Sequence, residues 1–265
     1  MPFAYNLGAI PDTKDGQDYI YRAPELAAAI AIAEYNLPSG IDNRRQFGPV
    51  FNQKQFSSCV GMAVTKSMEY YSWKVTGRSV NLSPGWAYMN ARKYDSFPGE
   101  AYDGSTMRGG LKAANQIGIC EWIQYPFIGD EGPLVYPKEA ERSAMAFRVE
   151  RYARIDSLVE AKHALHKWGV ILVTVNVHPG WQNPTDEGII PYTATTKALD
   201  QYHATAIGGY GDEQGAFLLC NSWGNEWGDD GWAWYKYDDF SANVIDIWVP
   251  IVVIAKGALY DGARN

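Results

Sequence analysis

Three cysteines supply the most nucleophilic side chains of this sequence: Cys59, Cys120 and Cys220. A free thiol has a pKa near ~8.5, so it is mostly protonated and weakly nucleophilic at neutral pH. The N-terminus of a helix stabilises the thiolate, and a neighbouring imidazole can take the thiol proton and later hand it to a leaving group. A cysteine at a helix start, with a histidine far downstream, therefore predicts nucleophilic catalysis.

Cys59 is the cysteine best placed for that chemistry. It follows Ser57 and Ser58, either of which can cap a helix, and apolar residues then recur at a spacing of about four. Cys220 lies in an apolar strand-like run and Cys120 follows a Gly-Ile turn, and both patterns are typical of a small buried hydrophobe. We therefore take Cys59 as the candidate nucleophile.

Four histidines compete as its partner. His163 and His166 lie on a predicted helix away from its apolar face, which favours a solvated role, and no third ligand accompanies them to form a metal site. His178 precedes a Pro-Gly turn and is interpreted as a loop histidine. His203 begins an apolar strand, and a rigid element is where a site residue is best held. His203 is the candidate base.

The elements that must position these residues divide the chain into two lobes. Helices are predicted mainly in the first half and strands in the second, which indicates an α+β protein. We expect a leader at 1–37 with a short helix after Pro24, a mainly helical lobe at 38–146 carrying Cys59, and a mainly β lobe at 147–265 carrying His203. The predicted helices are 57–77, 108–116 and 157–168, and the predicted strands are 170–177, 204–210, 216–223, 232–237 and 245–255.

Composition excludes several classes of function. The 265 residues hold 23 Lys and Arg against 30 Asp and Glu, a formal net charge of −7, and scattered basic residues argue against a nucleic-acid partner. The longest apolar run, 26–33, is too short for a membrane span, which needs roughly 20 residues. An odd cysteine count and no visible signal peptide favour the cytoplasm or another reducing compartment, with a phage- or particle-associated location left open.

Three blocks of the sequence resemble the papain family of cysteine peptidases. The first runs from Leu37-Pro38-Ser39-Gly40 to Ser57-Ser58-Cys59 and is similar to the mature start of the family's members. The second is Tyr202-His203-Ala204 with the glycines that follow, and the third is Asn221-Ser222-Trp223-Gly224. The blocks occur in the family's order, and the resemblance spans about 37–253.

The resemblance implies a papain-like two-lobe fold, with a helical left lobe, a β-barrel-like right lobe and the active-site cleft between them. It makes Cys59 the nucleophile and His203 the base and later the general acid. Asn221 would hold the imidazole in orientation. Gln53 would donate its amide to the oxyanion together with the Cys59 backbone N–H, and Trp223 would shield the contact between His203 and Asn221 from water.

The resemblance also implies the substrate-binding residues. The backbone near Gly104 and Ser105 would pair with an extended substrate, Met107 would line the second subsite and Ala204 would form its floor. An apolar residue is then preferred one position before the scissile residue. The resemblance implies neither a metal nor a cofactor.

The sequence departs from the family's pattern at four residues. Phe56 stands where the family has a disulfide-forming cysteine, and Val60 stands where it has an aromatic residue. Ser57 and Ser105 each stand where a glycine is common, and their side chains are expected to narrow the cleft. Secreted relatives carry a long inhibitory prosegment that fills the cleft, and the 37-residue leader is expected to be too short for this. It more resembles prokaryotic or phage-type members, so we expect no zymogen control of the usual kind.

The predicted function is peptide-bond hydrolysis through an acyl-enzyme, with a peptide or protein as the substrate. One alternative keeps the same Cys-His pair for another acyl transfer, such as cell-wall peptide hydrolysis. The other is a catalytically silent member that serves as a binding or structural component of a larger particle or complex. The residues Cys59, His203, Asn221 and Gln53 argue against the silent alternative, and the changed residues around Cys59 argue mildly for it.

Overall fold

The computed structural model describes residues 5–21, 37–97, 102–127 and 137–252. Most helices precede residue 145, and most strands follow residue 150. The helices of these ranges are α1 (Cys59–Thr76), α2 (Pro84–Tyr94), α3 (Met107–Gln116), α4 (Lys138–Ala144), α5 (Leu158–Trp168) and α6 (Tyr237–Asn243). The strands are β1 (Ala9–Ile10), β2 (Gly40–Asp42), β3 (Ser105–Thr106), β4 (Arg151–Ile155), β5 (Ile171–Asn176), β6 (Tyr202–Gly211), β7 (Ala216–Cys220), β8 (Trp232–Lys236) and β9 (Val244–Ile251).

Helix α1 forms the centre of the helical lobe. Its first fourteen residues are all buried, against α2, α3 and strand β6. Gly61 lets α2 approach closely, because a Cβ there would lie 2.6 Å from the Pro84 carbonyl oxygen and 2.7 Å from Tyr88. The helix ends at Gly77, which adopts the left-handed conformation that favours glycine. The start of α1 is therefore held in place by packing along most of the helix.

A seven-stranded antiparallel sheet builds the other lobe, in the order β4-β9-β5-β6-β7-β8 with β2 added beside β6. Strand β6 is buried from its second residue onward and pairs with β5, β7 and β2. His203 is that second residue. Asn221 directly follows the last residue of β7, where Cys220 pairs with Ala206. Neighbouring strands thus bring His203 and Asn221 together, although 18 positions separate them in the chain.

The α+β prediction is confirmed, and the helices predicted at 57–77, 108–116 and 157–168 are α1, α3 and α5. All five predicted strands are present as β5 to β9. Helices α2, α4 and α6, the short strands β1 to β3 and strand β4 were not predicted. The predicted leader helix after Pro24 lies outside the described residues, and the lobe boundary near 147 stays a prediction.

Two of the three histidines that were not chosen as the base are buried, in contrast to their predicted positions. His163 is 1% exposed, and its Nδ1 lies 2.7 Å from the Tyr21 hydroxyl of the leader. His178 lies 2.7 Å through Nε2 from the Asp239 carboxylate. The loop and helix positions were identified correctly, but neighbouring elements cover them, which local sequence does not reveal.

The His178 ring is fixed in one tautomer when neutral. Its Nδ1 accepts the Gly180 N–H at 3.1 Å, so Nε2 carries a proton and donates to Asp239. Asp239 also accepts a hydrogen bond from Asn243, 2.8 Å away. This buried pair connects the turn after β5 to α6, and it was not predicted from the sequence.

Asp239→Ala is expected to lower the free energy of unfolding by about 1–3 kcal/mol, because it leaves the buried Nε2–H of His178 without its acceptor. Urea denaturation followed by circular dichroism measures this difference. Asp238→Ala is the matched control: Asp238 is the exposed neighbour on the same helix, and its replacement should change stability by no more than about 0.5 kcal/mol. Equal effects of the two substitutions would show that the His178–Asp239 contact contributes nothing.

Candidate active site

Cys59 is the first residue of α1, and its side chain is buried. Ser58 occupies the N-cap position, and its hydroxyl makes no hydrogen bond with the described residues. The first N–H groups of the helix therefore have no side-chain cap, and their dipoles point toward the start of the helix. A negative charge on the Cys59 sulfur lies where a helix stabilises it most.

His203 and Asn221 form a hydrogen-bonded pair with a defined orientation. The Nε2 atom of His203 lies 2.8 Å from the Oδ1 atom of Asn221. Oδ1 also accepts the backbone N–H of Ser222 at 2.8 Å, which identifies it as the oxygen of the amide. Nε2 is therefore the donor. Nδ1 has no hydrogen-bond partner within the described ranges, and it is the nitrogen left to exchange a proton.

Aromatic rings enclose the imidazole. The Trp223 ring stacks on it with centroids 4.8 Å apart, and Trp181 meets it edge-on at 6.0 Å. The Trp227 indole donates to the Trp181 carbonyl at 2.7 Å and so holds that segment. Trp223 therefore lies against His203, and its role in shielding the His203–Asn221 contact from water stays a prediction. Trp181 was missed, although it follows the His178-Pro179-Gly180 turn.

Gln53 has its side-chain amide fixed in one orientation. Its Oε1 atom accepts the Ser222 hydroxyl at 2.6 Å, so its Nε2 atom faces the other way. Nε2 donates to the carbonyl oxygens of Phe56 and Asn6, each at 2.9 Å. Ser222 is thus a positioning residue for Gln53. It belongs to the third sequence block, but the resemblance implied no role for it.

The Cys59 thiol meets both the β lobe and the leader. Burial raises the pKa of Cys59, while the backbone amides of Ala204 and Gly8 face the sulfur and lower it by a smaller amount. Ala204 directly follows His203, so the sulfur lies beside the histidine strand. Burial also lowers the pKa of His203 to about 4, and the hydrogen bond to Asn221 opposes that shift. In this form of the protein, the thiol and imidazole are therefore both neutral near pH 7.

The leader passes through the cleft and covers the thiol. Tyr5 stacks on Trp223 with centroids 4.9 Å apart and donates to its carbonyl oxygen at 3.1 Å. Gly8 packs against Ser57 and accepts the Ser105 N–H at 2.9 Å. Strand β1 then continues parallel to β3. A leader of 37 residues is therefore long enough to fill the cleft, and the expectation that it is too short was wrong.

The leader is bound in a way that does not expose its own backbone to attack. The carbonyl held by Gln53 belongs to Asn6, whereas the leader group that faces the Cys59 sulfur is the amide of Gly8, two residues further on. Attack requires the sulfur to face the carbonyl carbon whose oxygen the donors hold. The segment therefore occupies the site without presenting a scissile bond to it.

The four predicted substrate-binding residues line this path or the core beneath it. Gly104 has φ +115°, and a Cβ there would overlap the Gly8 carbonyl oxygen, so the glycine is required for the close approach. The backbone of Ser105 pairs with the leader, and its pairing with substrate stays a prediction. Met107 and Ala204 are buried within one apolar cluster, and their role in the second subsite stays a prediction as well.

The described residues offer no cluster of three or more His, Cys, Asp or Glu that could hold a metal ion. Within the same ranges, no helix combines the length and apolar character needed to cross a bilayer. All three cysteines are free and buried.

Comparison with known proteins matches these features to a single family. The family model described as papain family cysteine protease matches residues 37–247. An uncharacterized peptidase C1-like protein of Acanthamoeba polyphaga mimivirus is 26% identical over 215 residues, which is 75% of this chain and 68% of that protein. Mouse cathepsin K is 25% identical over 217 residues, 76% of this chain and 60% of that protein. The chain thus spans between three fifths and about two thirds of the length of these two relatives.

Solved structures agree in fold. Xylellain, a cysteine protease from Xylella fastidiosa, superimposes with a TM-score of 0.80 at 24% identity, over 95% of this chain and 98% of that one. Bromelain from Ananas comosus, solved with the E64 inhibitor, gives 0.64 at 20% identity over 82% of this chain and all of that one. The predicted two-lobe α+β fold is therefore confirmed.

Proposed function

This chain belongs to the papain family of cysteine proteases, whose members are cysteine endopeptidases, and we propose that it hydrolyses peptide bonds through an acyl-enzyme formed on Cys59. Nδ1 of His203 takes the thiol proton, and the thiolate at the start of α1 attacks the substrate carbonyl carbon. The hydrogen bond from Nε2 to Asn221 fixes the ring orientation and leaves Nδ1 without a partner among the described residues, available to take that proton.

The carbonyl oxygen becomes negatively charged in the transition state and needs donors that are already in place. Gln53 Nε2 is one such donor, held by Ser222, and the Cys59 backbone N–H is the second. His203 then gives its proton to the leaving amine, and water attacks the thioester with His203 as the base. Each step uses a group that the fold has already oriented.

One observation carries the proposal: Gln53 Nε2 donates to the Asn6 carbonyl oxygen of the leader, whose Gly8 amide faces the Cys59 sulfur. The leader shows that a backbone carbonyl fits this position, in a cleft that also contains His203. A substrate whose carbonyl oxygen binds Gln53 Nε2, and whose carbonyl carbon faces the Cys59 sulfur, has the geometry needed for attack.

Catalysis requires the leader to leave the cleft, because the Asn6 carbonyl oxygen accepts the hydrogen bond of Gln53 Nε2 and the Gly8 amide faces the Cys59 sulfur. Departure also changes the electrostatics of the site. Water reaching the cleft removes part of the burial that raises the pKa of Cys59 and lowers the pKa of His203, and both changes favour the thiolate–imidazolium pair. The open form is therefore the reactive form.

The proposed substrate is a peptide or protein, and no larger particle is needed for its hydrolysis, because this chain alone supplies Cys59, His203, Asn221 and Gln53. The proposed location is a reducing compartment. Support comes from three free cysteines and from Phe56, which stands where the family has a disulfide-forming cysteine. An apolar side chain at the second subsite, beside Met107 and Ala204, is the preferred substrate feature.

A peptide-library digest with the Gly8→Ala chain tests the proposal, since a Cβ at residue 8 would overlap the Ser57 carbonyl oxygen and keep the leader out. We expect cleavage of unmodified peptides, with apolar residues enriched one position before the scissile residue. An isolated cell-wall peptide is digested in parallel. Cleavage of that peptide alone would support the other acyl-transfer alternative. If neither substrate were cleaved, and if Cys59 were alkylated no faster than Cys120, the catalytically silent alternative would be supported.

A further inference from the structure

We propose that a pair of buried carboxyl groups, Asp12 and Asp246, holds residues 5–21 (the strap) over the cleft only while the pair retains a proton, so that deprotonation releases the strap. This inference rests on the proposed function in one respect: the cleft that the strap covers is taken to be the catalytic cleft. Release of the strap can be measured without any hydrolysis.

Arginine side chains clamp the strap at two positions. Arg108 donates through Nε and Nη2 to the two carboxylate oxygens of Asp18, at 2.8 and 2.7 Å. Its backbone N–H donates to Asp12 at 2.7 Å, and its Nη1 lies 3.3 Å from the other Asp12 oxygen. Arg154 lies 3.3 Å from Asp18 through Nε. The Asp12 side chain is fully buried, and that of Asp18 is 5% exposed.

The clamp joins the strap to both lobes. Arg108 lies on α3 of the helical lobe, whereas Arg154 lies on β4 of the sheet. Beyond Asp18 the strap follows β4, where the backbone of Arg154 exchanges hydrogen bonds with Tyr19 and Tyr21, each at 2.7 Å. The strap is thus anchored at one end by Tyr5 on Trp223 and at the other by this charged cluster.

Asp246 on β9 adds a third carboxyl group to the cluster. Its Oδ2 atom accepts the Asp12 backbone N–H at 3.2 Å, and its Oδ1 atom accepts the Trp248 indole N–H at 3.1 Å. The ionisable groups that face Asp246 are Asp12 from the strap and Arg154 from β4, and its cross-strand neighbour on β5 is the uncharged Thr174.

The charges in the cluster balance only if one carboxyl group is protonated. Asp12, Asp18 and Asp246 are the carboxyl groups of the cluster that face two guanidinium groups, Arg108 and Arg154, in this part of the described chain. Asp15 also acts on Arg108, but it is exposed, and water and salt screen its charge. With one proton on the pair of Asp12 and Asp246, the cluster is neutral. Without it, a buried negative charge is left uncompensated beside the strap, which is costly in a site that water does not reach.

The direction of the pKa shifts agrees with this charge balance. Burial, and then the charge of Asp12, raise the pKa of Asp246 to about 7, and burial also raises the pKa of Asp12. When the strap leaves, Asp12 returns to water and Asp246 loses its charged neighbour, so both pKa values fall. The closed form therefore binds the proton more tightly than the open form does. Closure is fully favoured below the open-form pKa values and is lost as the pH rises through about 7.

Amide hydrogen exchange of residues 9–21 measures closure directly. The full chain carries Cys59→Ala in every arm, which removes both hydrolysis and the titrating thiol beneath Gly8. Protection factors, corrected for the intrinsic exchange rate at each pH, are compared between pH 5 and 9. We expect protection to fall by up to tenfold per pH unit as the pH rises toward about 7, and to level off above about 7, where neither form retains the proton. The contact between Tyr21 of the strap and His163 of α5 is present in every variant compared, so it cannot account for a difference between them.

Asp246→Asn is the decisive variant, because the amide can still accept from Asp12 but has no proton to lose. Its protection should be independent of pH over this range. Asp238→Asn, an exposed carboxylate on the neighbouring α6, should keep the slope of the parent. If Asp246→Asn does not fold, Asp12→Asn is the second test. It removes the strap's carboxyl group from the pair, leaves both lobes unchanged, and should also abolish the pH dependence of protection. A flat parent profile, protection that rises with pH, or a slope that survives either substitution would overturn the proposal, whatever the digest shows.

Discussion

Gly8→Ala should accelerate the alkylation of Cys59 in the otherwise unaltered chain at pH 6 by about tenfold or more. The added Cβ would overlap the Ser57 carbonyl oxygen, and the Gly8 carbonyl already lies against Gly104 on the other side. Overpacking of this kind costs about 1–3 kcal/mol, which corresponds to a shift of roughly 5- to 150-fold toward the open form. Iodoacetamide labelling, quantified by mass spectrometry of the peptide that contains residue 59, measures the change.

Gly16→Ala is the matched control for this experiment. Gly16 belongs to the same leader, is exposed, and has no atom within 4 Å of the position a Cβ would take. Its substitution should leave the labelling rate at the parent value. Equal rates for the parent, Gly8→Ala and Gly16→Ala would mean that the leader does not restrict access to the thiol.

His203→Ala, introduced into the Gly8→Ala chain, should lower peptide hydrolysis by roughly 10⁴-fold or more. Removing the base of a nucleophile–base pair leaves only the contribution of substrate binding and the oxyanion donors. The kcat/KM for a fluorogenic peptide with an apolar residue at the second position measures the loss. Because the ring lies between Trp223 and Trp181, circular dichroism should accompany the assay to show that the variant is folded.

His166→Ala is the control for that variant, since His166 is an exposed histidine in the last turn of α5. Its activity should equal that of the Gly8→Ala parent. A residual activity in His203→Ala within tenfold of the parent would assign proton transfer to some other group and would leave His203 a structural residue.

The elements that hold the candidate residues Cys59 and His203 could be predicted because local sequence determines their setting. Ser58 before an apolar run places Cys59 at a helix start, and a run of small and β-branched residues after His203 places it on a buried strand. The spacing of the three blocks then identified Gln53 and Asn221 through resemblance. Helix starts and buried strands are set within a few residues of sequence, so these elements were found where they were expected.

The covering of the site could not be predicted, because it depends on contacts between distant segments. Gly8 and Gly104 are ordinary turn glycines in the sequence, and only the folded chain shows that their backbones touch. The same holds for the Asp12–Asp246 contact, which spans 234 positions. His163 was assigned to solvent from its helical face, but Tyr21 of the leader lies over that face and buries it.

Some elements were missed although their signals were present. Ser83-Pro84 is a strong helix start: the Ser83 hydroxyl accepts the Trp86 N–H at 3.0 Å, and proline occupies the first helical position of α2. Strand β4 gave a weaker signal, because Arg151 and Arg154 interrupt its apolar pattern. Arg154 is nevertheless 4% exposed, since Asp18 and the Trp248 ring accommodate its charge.

The alkylation rate of Cys59 as a function of pH, measured in the Gly8→Ala chain with and without His203, tests most directly whether sulfur and imidazole act as a pair. We expect rapid alkylation well below the ordinary thiol pKa of ~8.5, because the open site favours the thiolate–imidazolium form. In His203→Ala, alkylation should become appreciable only near that ordinary value. If the two proteins gave the same profile, rising only as the pH approaches 8.5, the pair would not exist and the proposed mechanism would be wrong.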